Sequence, residues 1–445
     1  MPSFKKSSGG WGMRSEWQRA RLGQLGRIVT GKTPITDDAG NFGGAIPFLT
    51  PSDFVDGHRR VITARTLSQR GLSSVKNCLV PRGVAVSCIG WQMGKSVLID
   101  EPTVTNQQIN TIVPNEALVD RLFLYYSLLS IRNKIFELGA TSTRTPIVNK
   151  TTFSSIEIPL PSLPYQRAIS SLLGALDDRI DLLRQTNATL ESIAQALFKS
   201  WFIDFDPVRA RTEGREPEGM DAETAALFPD SFEDSALGQI PKGWRVGPFG
   251  DIAGLVKGSI NPMTEPADTF EHYSLPAFDA SQLPVFELGE AIKSNKTRVP
   301  AGAVLQSKLN PHIPRVWFPS RVGERAVCST EFLPWVSKGT ASAEVIYCTL
   351  TSPTFAASVR TLVTGTSNSH QRVKPDQVAA LALVLAPSDV YDGFTRAVRA
   401  LLARVGEGRW TAKSLADLRD TLLPRLISGK LRLPEAEAQL NEAVA

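Results

Sequence analysis

The sequence predicts a mixed α/β protein in which two homologous globular domains are joined by two long helices that form an antiparallel coiled coil, with internal pseudo-two-fold symmetry. Three observations support this fold class. A heptad pattern of apolar residues occurs twice, and a sequence repeat spans most of the 445 residues. Within each globular part, short apolar runs are separated by Gly and Pro, which is typical of strands and loops.

The first heptad pattern lies within residues 164–206, where apolar residues recur at alternating steps of four and three, as in an a/d seam between paired helices. Its only polar member is Asn187, and a buried Asn at an a position fixes register at a cost in stability. A helix of this kind is roughly 50–60 Å long and needs a partner helix. The seam consists of Ile169, Leu173, Leu176, Ile180, Leu183, Asn187, Leu190, Ala194, Leu197 and Trp201.

A second seam follows about 225 residues later and predicts the partner helix. The pair Gly406 and Gly408 predicts a bend in it, because a glycine costs about 1 kcal/mol inside a helix. Pro424 predicts that the helix ends or kinks about one turn before Gly429. The second seam consists of Phe394, Val398, Leu401, Val405, Gly408, Ala412, Leu415, Arg419, Leu422 and Leu426.

The repeat is clearest where Trp17 through Gly31 matches Trp244 through Gly258 without a gap. Because each copy is followed by a seam, the chain is interpreted as a duplicated domain plus helix. The predicted boundaries are a tail at 1–16, a globular domain at 17–161, a helix at 162–206, a connection at 207–240, a second globular domain at 241–387, a second helix at 388–432 and a tail at 433–445.

Individual elements follow from local patterns. Residues 46–49, 84–87 and 97–99 are predicted strands, and residues 117–138 a helix that stops at Gly139. In the second copy the matching helix, near 342–363, contains Pro353 and is expected to be kinked or split. Residues 207–240 hold three prolines among many charges and predict an irregular surface connection.

Composition sets broad limits. A formal charge of +5 and a pI near 9.0 weakly favour an anionic partner such as nucleic acid, although a solvated basic surface explains them equally well. The four cysteines show no CxxC or zinc spacing, which suggests reduced thiols and a cytoplasmic location. No apolar run approaches the ~18 residues of a membrane span, and no secretory signal is present.

Residues Gly26 to Thr33 match the P-loop pattern GxxxxGK[ST]. That motif needs a helix after the glycine-rich loop, so that amide groups and the helix N-terminus hold phosphates. Here Pro34 follows at once, with turn residues after it, and the second copy lacks the motif. A strand that ends in a turn is the favoured interpretation. No other catalytic motif is found, which shifts the weight towards a binding protein.

Taken together, five stretches resemble the specificity subunit of type I restriction-modification systems. Each is a modest motif, but their order and duplication are specific. They are Trp17–Gly31, Ile158–Arg167, Leu197–Pro207, Leu237–Trp244 and Leu418–Gly429.

The resemblance implies two target-recognition domains, each reading one half of an asymmetric bipartite sequence in double-stranded DNA, held apart by the helix pair. It implies that two modification subunits dock on the helices and methylate adenine with S-adenosylmethionine, and that two restriction subunits add ATP- and Mg-dependent translocation and cleavage. The chain itself would hold no catalytic residue, metal or cofactor.

Basic and polar residues in loops are the candidates for DNA contact. The loops Gly139–Lys150 and Gly365–Lys374 are favoured because they occupy matching places in the two copies. For any single residue, a solvated loop charge is the simpler explanation. The candidates are Lys32, Arg59, Arg60, Lys95, Arg144, Lys150, Lys257, Lys293, Lys296, Arg298, Arg315, Arg321, Arg325, His370, Arg372 and Lys374.

The helix-pair and partner interface is predicted from the two seams. The aromatic cluster from Trp201 to Phe205 has two open interpretations, a docking site for the methyltransferase or an anchor of the helix end to its own domain. The predicted interface residues are Ile169, Leu173, Leu176, Ile180, Leu183, Asn187, Leu190, Leu197, Trp201, Phe202, Phe394, Val398, Leu401, Leu415, Leu422 and Leu426.

Two alternatives to the specificity subunit stay open at this point. One is a stand-alone DNA-binding or structural coiled-coil protein without methyltransferase partners. The other is a P-loop NTPase, for which nucleotide binding that depends on Lys32 would be the evidence.

Overall fold

A computed structural model of the chain describes residues 17–140, 146–363 and 371–444. The described residues form two compact units. The first unit is drawn from Met1–Ile180 and Ser414–Ala445, and the second from Asp181–Lys413. Each unit therefore combines a globular part with segments of both long helices.

The first unit contains ten strands and five helices ahead of the first long helix. In chain order they are β1 (Arg19–Arg21), α1 (Leu22–Leu25), β2 (Gly26–Thr30), β3 (Phe42–Leu49), β4 (Arg65–Leu67), α2 (Gln69–Ser74), β5 (Leu79–Val80), β6 (Gly83–Ser87), β7 (Ser96–Ile99), β8 (Thr103–Thr105), β9 (Ile109–Pro114), α3 (Arg121–Ser130), α4 (Arg132–Gly139), α5 (Lys150–Ser155) and β10 (Glu157–Pro159). The long helix α6 (Leu163–Phe202) follows and continues into the second unit.

The second unit follows a short helical connection and has a similar order of strands. Its elements are α7 (Asp206–Thr212), α8 (Ala222–Ala225), β11 (Phe232–Ser235), β12 (Gly238–Pro241), β13 (Arg245–Pro248), β14 (Ala253–Leu255), β15 (Thr269–Tyr273), α9 (Leu275–Ser281), β16 (Val285–Leu288), β17 (Lys296–Arg298), β18 (Val304–Ser307), β19 (Val316–Trp317), β20 (Ala326–Ser329), β21 (Phe332–Ser337), α10 (Ala343–Thr351), α11 (Pro353–Thr361), α12 (Pro375–Ala379) and β22 (Ala382–Leu385). Its first helix after β15 is placed ahead of β16 instead of after it, whereas α2 of the first unit follows β4. The second long helix α13 (Ser388–Ile427) returns to the first unit, where α14 (Leu433–Val444) follows it.

The sheets of the two units have the same topology. The first unit has one four-stranded sheet in the order β2-β9-β6-β7 and another in the order β4-β3-β8-β5, and the second unit has β14-β21-β18-β19 and β16-β15-β20-β17. The single parallel pairing also recurs, as β3 with β8 and as β15 with β20. In each unit an additional pair of strands, β1 with β10 or β13 with β22, brings together the two ends of the globular part. The duplication predicted from sequence is therefore present in the strand order.

Apolar side chains hold the two sheets of the first unit together. Val29, Ala85 and Val97 of the first sheet form one buried cluster with Leu49 and Val80 of the second. Along each strand, successive side chains point to opposite faces of the sheet, so that Ala85 belongs to this cluster while its neighbours Val84 and Val86 belong to another. The first sheet also packs against α3, whose buried Phe123 and Tyr126 belong to a second, larger cluster.

In the first unit, the start of α6 packs against the end of α13. Ile169, Leu173 and Leu176 belong to one buried cluster with Leu422 and Leu426. Each of these five residues is at most 4% exposed. All five were predicted as interface residues, and they form the helix contact of this unit.

In the second unit, the remainder of α6 packs against the beginning of α13. Phe198 and Phe202 contact Phe394, with ring centroids 5.8 and 5.1 Å apart. Glu191 meets Arg409, whose Nη2 donates to the carboxylate at 2.6 Å. Since later residues of α6 meet earlier residues of α13, the pairing is antiparallel. The predicted fold class is confirmed in its mixed α/β composition, its duplicated domain and its antiparallel helix pairing.

Gly406 and Gly408 do not break α13, which is helical throughout from Ser388 to Ile427, and the bend predicted there stays a prediction. The two glycines allow atoms of neighbouring residues to lie close to the helix backbone. A Cβ atom on Gly408 would lie 2.3 Å from Asn187 Oδ1, and one on Gly406 would lie 2.2 Å from the Cβ of Ser320. The helix tolerates two glycines because its packed neighbours leave no room for larger residues.

Among the other expectations, one is confirmed. Pro424 does not end α13, since three more helical residues follow it, and the alternative of a kink stays a prediction. The connection at 207–240 is not irregular throughout, because it contains α7, α8 and the hairpin of β11 and β12. The expected split near Pro353 is present. Ser352 caps the new helix by accepting from the Phe355 amide, and Pro353 occupies the first turn, where no backbone donor is needed.

Candidate nucleic-acid interface

Two loops meet in the same way in both units. In the first unit the Gly90 amide donates to the Pro146 carbonyl at 2.9 Å, and the Val148 amide to the Cys88 carbonyl at 2.9 Å. In the second unit the Asn310 amide donates to Gln371 at 2.8 Å, and the Val373 amide to Lys308 at 3.1 Å. We call residues 88–95 with 146–150 the first loop pair, and residues 308–315 with 371–374 the second loop pair.

The loops favoured from sequence thus lie at equivalent places as far as they are described. Isolated β-bridges confirm the equivalence, since Ile89 faces Ile147 in the first loop pair and Leu309 faces Arg372 in the second. The predicted contacts Arg144 and His370 belong to stretches outside the described residues. The backbone frame of the two loop pairs is shared, while the side chains on it differ.

Each loop pair carries a cation at the same position. The Ser87 amide donates to the Lys95 carbonyl, as the Ser307 amide does to that of Arg315. Lys95 Nζ lies 2.9 Å from Asp56, and Arg315 forms a bidentate pair with Asp279 at 2.6 and 2.8 Å. A planar guanidinium held in this way is pre-oriented for a second planar acceptor.

Arg59 is not a surface charge, contrary to the assumption behind its selection. It is 4% exposed, and its Nη2 donates to Asp178 at 2.5 Å. Burial acts to lower the pKa of the guanidinium, but the Asp178 hydrogen bond and the Asp177 carboxylate outweigh it and hold the pKa above its ordinary value. The guanidinium is therefore already occupied by carboxylates of the protein.

Lys296 is also buried, at 6% exposure. Its Nζ donates to the carbonyl and the hydroxyl of Ser294 at 3.0 and 2.6 Å. Burial lowers the pKa of this amine. Like Arg59, Lys296 lacks the exposure that a phosphate contact requires, because it lies on the buried side of β17.

Several other predicted contacts are exposed but already paired with carboxylates. Each could meet DNA only by exchanging its carboxylate for a phosphate. These pairs are Arg60 with Asp100 at 2.5 Å, Arg321 with Glu407 at 2.7 Å, Arg325 with Glu265 and Asp268, and Arg372 with Glu331 at 3.0 Å. Lys293 donates to the Glu290 carbonyl at 2.5 Å.

A smaller group of predicted contacts is exposed and forms no ion pair with any residue that the structure describes. Two of them follow matching strands, Lys32 after β2 and Lys257 after β14. Two more stand at the start of matching helices, Lys150 as the first residue of α5 and Lys374 as the cap of α12. Together with Arg298 these lysines are the cations most available to an anionic ligand.

Sequence reasoning missed Trp91, which lies in the first loop pair, and Arg132, which lies near it. Trp91 is 86% exposed at the tip of a turn between β6 and β7. Arg132 reaches Asp56 at 2.9 Å and so shares that carboxylate with Lys95. The signal for Trp91 was a tryptophan between Gly90 and Gly94 in a loop that joins two apolar strands.

The P-loop match has a structural explanation. Residues 26–30 form β2, and no helix follows Lys32 before Pro34. The Gly31 amide donates to Ile109 at 3.2 Å and the Lys32 amide to Thr105 at 2.9 Å. The amides that would hold phosphates in a P-loop are therefore used within the protein itself.

The seam residues lie largely inside the helix contacts. Among the predicted set, Leu190, Leu197, Leu401 and Leu415 are half-buried and the others are buried. At one point the stripe shifts, since Leu402 is buried more deeply than Leu401. Trp201 and Phe202 pack against Phe228, Trp244 and Phe394. Anchoring of the helix end to its own unit accounts for both aromatics.

Two negative observations concern the described residues alone. None of the helices there is both long and apolar enough to cross a membrane. In residues 17–140, 146–363 and 371–444, no group of three or more His, Cys, Asp or Glu side chains is arranged to hold a metal ion.

Comparison with known proteins agrees with this geometry. The model of the family described as "Type I restriction modification DNA specificity domain" matches residues 14–192. The type I restriction enzyme MjaIX specificity subunit of Methanocaldococcus jannaschii is 25% identical over 443 residues, which covers 94% of each chain. The HindI specificity subunit of Haemophilus influenzae is 22% identical over 472 residues, which covers 94% of this chain and 100% of the relative.

The fold is shared with a solved structure, the type-I restriction-modification system S subunit from M. genitalium. The TM-score is 0.54 at 14% identity, over 92% of this chain and 96% of the other. The duplicated sheets and loop pairs of this chain are thus found together with a fold that is shared with a restriction-modification S subunit. Over 94% of its length the chain is similar to type I restriction enzyme specificity subunits, and its residues 14–192 match the model of their DNA specificity domain.

Proposed function

We propose that this chain is the specificity subunit of a type I restriction-modification complex, that it reads an asymmetric bipartite target in double-stranded DNA, and that it serves as the scaffold for two adenine-methyltransferase subunits and for restriction subunits. The observation that carries the proposal is the pair of equivalent loop frames with different side chains. Each unit reads one half-site, because each has a complete loop pair of its own. The two halves differ because the side chains on the two frames differ.

The side chains that differ between the two units lie in the loop pairs, which are the proposed sites of contact with the DNA bases. Ile147 of the first loop pair is replaced by Arg372 in the second, and Lys95 by Arg315. Base edges are distinguished by hydrogen-bond donors, acceptors and apolar contacts, and arginine is suited to bidentate contact with guanine. A lysine or an isoleucine at the same place reads a different pattern. An asymmetric target follows from this substitution of side chains on a common backbone.

The long helices offer surfaces to partner subunits. Leu182 and Ile193 on α6 are 52% and 43% exposed. They lie eleven residues apart, which is about three helical turns, and so occupy the same face. Exposed apolar residues in line on a helix are suited to a protein partner. Because the domain and helix are duplicated, two identical partners can use equivalent surfaces.

The test of sequence reading is a domain exchange. Residues 245–386 are replaced by the matching residues of another specificity subunit, and the methylome of a host carrying each version is sequenced. One half of the target should change and the other should stay. A target that is unchanged, or changed in both halves, contradicts the assignment of one half-site to each unit. A matching exchange of residues 18–158 serves as the reciprocal control.

Scaffolding is tested by co-purification. The wild-type chain should bring down two copies of a methyltransferase, and Leu182→Asp with Ile193→Asp should reduce that yield. The matched control is Ile62→Asp, since Ile62 is 96% exposed but lies in a loop of the first unit. A chain that binds its DNA target and recruits no methyltransferase would favour the stand-alone DNA-binding protein instead.

The helices are also proposed to set the spacing of the half-sites. One heptad inserted into both α6 and α13 adds about 10 Å of helix. Because B-DNA rises about 3.4 Å per base pair, the preferred spacer should lengthen by about three base pairs. A spacer that keeps its length would contradict this role of the helices.

Cofactors belong to the partners in this proposal. S-adenosylmethionine would be bound by the modification subunits, and ATP and Mg by the restriction subunits, within the cytoplasm where the DNA target lies. Nucleotide binding by the chain alone that is lost in Lys32→Ala would instead support the P-loop NTPase. The hydrogen-bonded Gly31 and Lys32 amides argue against that outcome.

A further inference from the structure

Trp91 is the most exposed large aromatic residue of the described chain, with 86% of its surface accessible. It is not loose, because its ring stacks on Phe136 of α4 with centroids 6.0 Å apart and planes at 26°. An indole ring that is fixed from one side and still exposed leaves a large apolar surface in water. Tryptophan in such a position is typical of binding surfaces, where its rigid ring is buried on association.

The turn that carries Trp91 is firmly held. Gly90 has a φ of +62°, which an L-residue other than glycine rarely adopts, and its amide donates to Pro146. The Met93 amide donates back to Gly90 at 3.1 Å and closes the turn. Met93 lies so close to Gly139 that a Cβ there would sit 2.7 Å from its sulfur. Trp91 is thus presented by a preorganised turn of the first loop pair.

Four cations lie close to this aromatic pair in the chain, along with the carboxylates Asp56 and Glu137. Lys95 closes the same turn, and Arg132 begins the helix that carries Phe136. Both pair with the exposed Asp56. Lys134 on the same helix and Lys150 on the facing loop are exposed. Aromatic rings among cations match the two chemistries of nucleic acid, the base face and the phosphate.

We infer that Trp91, supported by Phe136, stacks on an unstacked nucleobase of the first half-site. The inference rests on the proposed function and extends it to one residue and one class of contact. At the matching position of the second unit the residue is Pro311, which follows Asn310 as Trp91 follows Gly90 and is buried. Stacking is therefore a feature of one half-site and adds to the asymmetry of the target.

The experiment uses the full chain in complex with its modification subunits and a duplex that carries the target identified from the methylome. Trp91→Ala should weaken target binding about 5- to 100-fold, the range expected for loss of one base–aromatic stack. Trp91→Phe keeps an aromatic face and should retain most of the affinity. Ile62→Ala removes an equally exposed side chain and should leave the affinity unchanged.

The stacked base is located with 2-aminopurine placed at each position of the first half-site in turn. Fluorescence at one position should change on binding of the wild-type complex, and this change should be lost in Trp91→Ala. Duplexes altered only in the second half-site should give the same ratio of wild-type to variant affinity. Near-UV and far-UV circular dichroism confirm that the variant is folded.

Each contrary result has a distinct meaning. A Trp91→Ala complex that binds the target as tightly as the wild type overturns the stacking role while the proposed function stands, since the wild type still selects its target. A variant that fails to assemble with the methyltransferase shows that Trp91 contacts protein, which also overturns it. A wild-type complex without any sequence preference removes the proposed function, and the stacking role with it.

Discussion

Asp177 of α6 and Arg419 of α13 form a buried ion pair in the first unit, in which Arg419 Nη1 donates to Asp177 Oδ1 at 2.6 Å. The two side chains are 4% and 8% exposed. The other carboxylate oxygen accepts from the Tyr126 hydroxyl at 2.6 Å, and Arg59 lies 3.6 Å away. One carboxylate therefore connects both long helices with α3 of the globular part.

The second unit has a related arrangement. Glu191 Oε1 of α6 accepts from Tyr347 of α10 at 2.9 Å and from Arg409 of α13 at 2.6 Å. Burial raises the pKa of the Tyr347 hydroxyl, and the Glu191 carboxylate adds to that effect, so the phenol stays protonated and donates. In both units a tyrosine, a carboxylate and an arginine join the globular part to the helix pair. We expect these clusters to fix the register of the helices.

Removing one member of the first cluster should be costly. Asp177→Ala leaves Arg419 and Arg59 buried without their shared carboxylate, and we expect the free energy of unfolding to fall by about 3–5 kcal/mol. Urea unfolding followed by circular dichroism measures this. The control is Glu213→Ala, which breaks the exposed pair with Arg215 and should change stability by less than about 1 kcal/mol. An equal loss of stability in the two variants would show that the buried ion pair contributes no more to stability than the exposed one.

Gly408 should be an exception to the rule that alanine stabilises helices. In an exposed helix interior, Gly→Ala gains about 1 kcal/mol. Here the new methyl group would lie 2.3 Å from Asn187 Oδ1, so Gly408→Ala should destabilise the protein by about 1–3 kcal/mol. Thermal or urea unfolding of the variant gives the sign directly.

The Asn187→Ala background makes the cause of that loss testable. Removing the amide group opens the space that the methyl group needs, so Gly408→Ala should lose most of its cost there. A double-mutant cycle then gives a coupling energy of about 1 kcal/mol or more between the two residues. Additive effects would mean that Asn187 does not limit the size of residue 408.

His272 should make the second unit sensitive to acid. Its Nδ1 lies 3.0 Å from Glu287 Oε2, while Nε2 is buried without a hydrogen-bond partner in the described chain. Burial lowers the pKa of this imidazole; the hydrogen bond to Glu287 opposes the effect, and Lys296 adds to it. The unfolded chain therefore takes up the proton first, near pH 6.5. Stability due to neutral His272 is complete above that pH and is lost as the pH falls towards the lower, native pKa.

The measurement is urea unfolding between pH 7.5 and pH 5.5. The wild type should lose more stability over this range than His272→Gln, which cannot take up the proton. His312→Gln serves as a control because His312 is exposed and should follow the wild type. A wild-type profile that matches that of His272→Gln would show that this residue does not titrate between the native and unfolded states.

The helix pair was predictable from the heptad spacing of apolar residues. The spacing of Ile169, Leu173 and Leu176 in α6, and of the matching residues in α13, indicates which face of each helix is buried. The duplication was equally accessible from residue matches. Heptad spacing did not predict the contacts between the two helices that involve residues other than apolar side chains. Gly408 reads as a helix breaker, yet its role depends on Asn187, which lies more than 200 residues away in the sequence.

The candidate site was predictable only in part. The two favoured loops do lie at matching places as far as they are described, at Pro146 to Lys150 and Gln371 to Lys374, and their contact with DNA stays a prediction. Exposure was not predictable. Arg59 and Lys296 read as loop or strand-end cations, but burial depends on partners such as Asp178 and Ser294 that the local sequence does not reveal. Trp91 was missed because a lone tryptophan is usually a core residue.

The exposed lysines without an ion pair should contribute to affinity and leave the target sequence unchanged. In the proposed DNA complex, Lys257→Ala and Lys374→Ala should each remove one phosphate contact, so binding should weaken for every sequence alike. A plot of log binding constant against log salt concentration should become shallower by about 0.9 for each lysine removed.

Arg315 should behave differently, because Asp279 already orients its guanidinium. Arg315→Ala should reduce the preference for the correct base at one base pair of the second half-site by about 1–3 kcal/mol. Fluorescence anisotropy over a salt series, with target and single-mismatch duplexes, separates the two classes. A change of sequence preference in Lys257→Ala would show that this lysine reads a base edge.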